Sequence, residues 1–91
     1  MMTPLDEMIE RARMADGKRM SDERLREVFD MVNGGRENWK DTIYATVPVS
    51  KATRSEIWTA VMWFTGSNAE IQSDGKDYHV EATGYYHEVG A

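Results

Sequence analysis

The spacing of apolar residues first changes along this chain at Gly34-Gly35, and no other feature limits the fold as strongly. Before the glycines, apolar side chains recur with the 3.6-residue period of a helix. Over residues 39–49 they recur every second residue, as in a strand with one face buried. A chain holding both periods is neither a helical bundle nor a sandwich, which leaves a mixed α+β class.

Thr3-Pro4 offers an N-cap followed by proline at the first helical position. Leu5, Met8, Ile9 and Ala12 then recur at i, i+3, i+4 and i+7 until Gly17 stops the run. Ser21 caps a second helix whose Leu25, Val28, Phe29 and Val32 repeat that spacing, with Met20 placed to staple onto Leu25. Residues 1–35 are therefore expected to form a helical hairpin, two helices in sequence that pack back on the rest of the chain.

From residue 38 to 91 the pattern predicts a β-α-β-β unit. Ile43, Ala45, Val47 and Val49 alternate with Lys40, Thr42, Tyr44 and Thr46 in a strand that stops near Pro48. Ser50 or Thr53 opens a third helix that runs to Gly66, and Thr53 and Glu56 have capping-box spacing. Asp74-Gly75 between two alternating runs signals a hairpin. With those two residues as the turn, Ser73 pairs with Lys76, Ile71 with Tyr78 and Ala69 with Val80. Ala69, Ile71, Tyr78, Val80 and Ala82 then share one face, while Glu70, Gln72, His79, Glu81, Thr83 and Tyr85 share the other. The expected architecture is one domain over residues 1–91, with a small three-stranded, mainly antiparallel sheet packed on the third helix.

With 91 residues there is room for a single core. Cys is absent, which removes disulfides, thiolate nucleophiles and thiolate metal sites. No apolar run approaches the roughly 20 residues of a bilayer-spanning helix. Met1-Met2-Thr3-Pro4-Leu5-Asp6-Glu7 carries acid where a signal peptide carries base, so a cytoplasmic location is expected. The net charge of −5 arises entirely from residues 55–91, where Glu56, Glu70, Asp74, Asp77, Glu81 and Glu88 face only Lys76. Phosphate binding draws on clustered Lys and Arg, so nucleic acid is not the expected partner. A protein with a basic surface is.

Chemistry-bearing patterns are few. His79 and His87 stand eight residues apart, roughly 26 Å along a regular strand at about 3.3 Å per residue, too far to share an ion. His79 is instead expected to face Glu70 across the hairpin as a solvated pair. Gly34-Gly35, Gly66 and Gly84 match neither a P-loop nor a dinucleotide-binding turn, and no nucleophile elbow is present. No catalytic residue, metal or cofactor is expected.

Aromatic residues carry more information. Phe64, Tyr78 and one Trp suit the core. The Tyr85-Tyr86 pair must point to both sides of its strand, and Tyr44 and Tyr85 fall on the uncovered sheet face. Aromatic anchors inside a polar rim are what protein interfaces favour. Tyr44, Glu70, His79, Glu81 and Tyr85 are therefore the expected partner-binding residues. On the third helix, Trp58, Met62 and Trp63 lie outside the stripe that covers the sheet. They are the expected contacts of a homodimer formed through that helix or through an edge strand.

In general character, being small, acidic, free of Cys and without a catalytic signature, the chain is similar to accessory proteins that bacteriophages and mobile elements encode to block host defences, anti-CRISPR proteins among them. That resemblance implies a non-catalytic inhibitor that occludes a protein partner in the host cytoplasm. The competing expectation is an oligomer that sequesters a small ligand or nucleotide, with Trp39, Trp58 or Trp63 stacking on it.

Overall fold

Thr3, Ser21 and Thr53 each accept a hydrogen bond from the backbone N–H three residues on, at 3.1 Å, and so start the helices α1 (Pro4–Ala12), α2 (Asp22–Asn33) and α3 (Arg54–Thr65). The computed structural model describes residues 2–88. It is an α+β protein with two antiparallel sheets, the larger of which packs on α3.

The helical hairpin expected over residues 1–35 does not form. α1 is followed by a small ribbon, β1 (Met14–Ala15) and β2 (Lys18–Arg19), which turns at Asp16-Gly17. Both turn residues have positive φ, +51° and +76°, as a type I′ turn requires. The ribbon is held by α3. The Asp16 N–H donates to Ser55 Oγ at 3.1 Å, Thr53 Oγ1 donates to the Asp16 carboxylate, and Thr59 Oγ1 donates to the Met14 carbonyl at 3.1 Å. α1 buries none of its residues, and Leu5 and Met8 are 64% and 65% exposed.

α2 packs on α3 and supplies Leu25, Val28, Phe29 and Val32 to the core. Arg24 of α2 forks onto Glu56 of α3, with Nε–Oε2 and Nη2–Oε1 distances of 2.9 and 3.0 Å. Glu56 Oε1 also accepts from the Thr53 N–H at 3.0 Å, so one carboxylate completes the capping box and joins two helices.

The larger sheet comprises β3 (Asn38–Pro48), β4 (Ala69–Ser73) and β5 (Asp77–His87) in the order β3-β5-β4. β5 is the central strand. Its register sets Ser73 opposite Tyr78, Ile71 opposite Val80 and Ala69 opposite Ala82. The hairpin expected with Asp74-Gly75 at its tip is therefore corrected by two residues. Asp74 and Asp77 are the last pair, and Gly75-Lys76 forms the turn. The reason is local. Asp74 Oδ1 accepts from the Lys76 and Asp77 N–H groups at 2.9 and 2.8 Å, which holds the carboxylate beside the turn. A shift of two preserves the faces, so Ile43, Val47, Ile71, Val80 and Ala82 meet Ile57, Ala60 and Val61 of α3 in the core.

At the far end of the sheet, Trp39 and Tyr86 are opposite each other and both buried. Tyr86 meets Phe29 edge-on with centroids 4.7 Å apart, and Phe29 stacks on Phe64 at 4.6 Å. The Trp39 indole N–H donates to Asn33 Oδ1 at 3.1 Å, while the Asn33 amide donates to the Arg36 carbonyl. Between these aromatics and the hairpin, Gly84 has φ +138° and packs against Ser67. A Cβ built on Gly84 would lie 2.5 Å from Ser67 Cβ, so only glycine fits.

Candidate functional site

All three helices leave one sheet face open. Alternation along β3, β4 and β5 sends Tyr44, Thr46, Glu70, Gln72, His79 and Glu81 to that face, where they line an open trough of about 370 Å³. The register aligns them in two rows. Tyr44, Glu81 and Glu70 lie side by side across the three strands, and Thr46, His79 and Gln72 form the next row. Tyr44 is 71% exposed and Tyr85 57%.

One sequence expectation about this face changes. His79 does not face Glu70. It stands opposite Gln72, and its Nε2 lies 2.8 Å from Asp74 Oδ2 at the hairpin tip. Asp74 is held well below the ordinary carboxylate range, by the Asp77 N–H first and then by His79 and the Lys76 N–H. Glu70 stands opposite Glu81. Like charges directly across an antiparallel pair are unfavourable, and neither carboxylate has an ion-pair partner among the described residues. The Glu81 charge reaches Tyr44, raising the pKa of its phenol by opposing a second negative charge beside it.

Tyr85 occupies the same face but not the same trough. It pairs with Lys40, four residues along β5 from Glu81, about 13 Å at roughly 3.3 Å per residue. There it stacks on His87 with centroids 6.2 Å apart. The five expected partner-binding residues therefore share a face, with Tyr44, Glu70, His79 and Glu81 at one centre and Tyr85 at a second.

Of the expected oligomer contacts, Trp58 is 39% exposed. It lines a second trough, of about 640 Å³, between α3 and the edge of β4. Trp63 packs against the core with the Arg13 guanidinium 5.1 Å from its ring centroid, and Met62 is half-buried. Sequence reasoning missed the Arg24–Glu56 fork and the buried Asn33. Nothing in the spacing signals the fork, whereas an Asn directly before Gly34-Gly35 is a visible helix-end cue.

Chemically, the first trough offers an aromatic face and two unpaired carboxylates, a combination suited to ammonium or guanidinium groups. Among the described residues, no three His, Cys, Asp or Glu side chains gather as metal ligands, and no helix is long and apolar enough to cross a membrane. Comparison of the chain with protein-family models, with curated proteins and with solved structures finds no match in any of the three.

Proposed function

We propose that this chain is a non-catalytic binding protein that occludes a partner protein, docking the open face of its three-stranded sheet on a basic surface. The observation that carries the reading is the pairing of exposed Tyr44 with the unpaired carboxylates Glu70 and Glu81 on a face that no helix covers. Uncompensated like charge in register costs stability, and a partner's Lys or Arg groups would neutralise it on docking. A basic groove of the kind that holds nucleic acid in a host-defence nuclease has the complementary charge, and an inhibitor seated in it would act by exclusion. The small-ligand reading has less support, because Trp39 is buried and Trp63 is covered by Arg13, leaving Trp58 as the one exposed indole.

The test begins with affinity capture from a host lysate, followed by kinetics with the captured protein. Glu70→Lys/Glu81→Lys slows association and flattens its salt dependence. Tyr44→Ala mainly speeds dissociation, by about 30-fold or more if Tyr44 is an anchor. Both variants melt near the parent temperature, since these side chains face solvent. Unchanged rates for both variants overturn the reading.

A further inference from the structure

The larger sheet has two edges, and they are not alike. β3 carries devices that discourage pairing: Lys40, a left-handed Asp41 at φ +77° and a terminal Pro48. β4 has no Lys, no Pro and no positive φ. Thr83 N–H donates to the Asn68 carbonyl and Asp74 N–H to the Asp77 carbonyl, so even-numbered residues of this segment form the hydrogen-bonded pairs with β5. By the alternation of an antiparallel ladder, Ala69, Ile71 and Ser73 then direct their N–H and C=O groups to the open edge.

We infer that β4 pairs antiparallel with β4 of a second copy, about a two-fold axis at Ile71, to form a continuous six-stranded sheet. The register follows from the residues. With the axis at Ile71, Ile71 meets Ile71 of the second copy, and Ala69 meets Ser73. All three outward-directed residues then pair, giving roughly six backbone hydrogen bonds. Glu70 stands opposite Gln72 of the second copy, a carboxylate facing an amide. An axis at Glu70 sets Glu70 against Glu70, and an axis at Gln72 sets Glu70 against Asp74. Each of these makes roughly four bonds and opposes like charges. An odd shift would bring the apolar and polar faces together.

The layer above the sheet agrees. α3 lies over β4 and β5. With strands about 4.8 Å apart, the two-fold sets the two α3 helices about 10 Å apart, the spacing of packed helices. Trp58, half-exposed over Ala69 and Ile71 in the second trough, then lies at the junction. On the open face the row Tyr44-Glu81-Glu70 continues into Gln72 and His79 of the second copy, so each binding face gains residues from both chains. The pairing does not depend on what that face binds.

The chain has no Cys, so introduced thiols are unique probes. The parent at tens of micromolar gives twice the 10.4 kDa chain mass in light scattering. Glu70→Cys and Gln72→Cys, mixed and mildly oxidised, form a linked dimer, because those positions face each other across the proposed axis, while either variant alone links far less. A monomer overturns the inference and leaves the edge for a different extended peptide. Efficient linking by one variant alone, or a dimer that the mixture does not link, overturns it in favour of another register or another surface, such as the exposed face of α1. Circular dichroism of each variant confirms that the fold is retained.

Discussion

Asn33 lies almost wholly buried where α2 ends, and replacing it by Ala removes the acceptor of the Trp39 indole N–H and the donor to the Arg36 carbonyl. The two losses differ in kind. Arg36 lies at an exposed turn, where water replaces the lost donor at a cost of about 0.5 kcal/mol. Trp39 is buried beside Tyr86, so its N–H stays without a partner, a penalty of about 1–3 kcal/mol. The expected loss is thus about 1.5–3.5 kcal/mol. At about 4–8 °C per kcal/mol for a domain of this size, the melting temperature falls by roughly 6–28 °C. Urea unfolding followed by Trp fluorescence measures the loss. Trp39→Phe decides the cause, because it removes the orphaned donor. The cost of Asn33→Ala should shrink by about 1 kcal/mol or more when Trp39→Phe is already present. A loss below about 0.5 kcal/mol, or strictly additive changes, would refute the view that this buried amide pins the start of β3.

Gly84→Ala should destabilise the protein by about 2 kcal/mol or more, because it combines a φ of +138° with a Cβ inside the contact radius of Ser67; a melt within about 2 °C of the parent would contradict that packing. The pH dependence should carry the mark of Glu56, whose pKa is lowered first by its hydrogen bonds to Arg24 and then by the Thr53 cap. A carboxylate depressed in the folded state contributes fully above its unfolded value of 4.5, and that contribution fades as pH falls through the lower folded value. Glu56→Gln should therefore flatten the acid limb of the urea midpoint against pH below about 5, and an unchanged limb would show that the fork contributes nothing.

How far the fold could be read in advance depended on whether a feature leaves a periodic trace. The caps at Thr3, Ser21 and Thr53 and the alternation of β3 lie where the spacing sets them. The ribbon at residues 14–19 has strands of two residues, too short for any period, and its Asp-Gly turn is held by contacts from α3 that no local pattern contains. Alternation also cannot detect a shift of two, which explains why the open face was legible while the opposition of Glu70 to Glu81 was not. Periodicity likewise marks which side of α1 is apolar but not what covers it. Leu5 and Met8 remain in solvent.

The strand order β3-β5-β4 makes the last strand in the sequence the centre of the sheet. During synthesis, Asn38–Pro48 has no partner until Asp77–His87 exists, about 40 residues later. At about 5–20 residues per second that is an interval of roughly 2–8 s in which Trp39, Ile43 and Val47 lack their sheet neighbours. Lys40, Asp41 and Pro48 lie along the same segment, so the residues that guard the finished edge also keep the nascent strand from pairing with other chains while it waits.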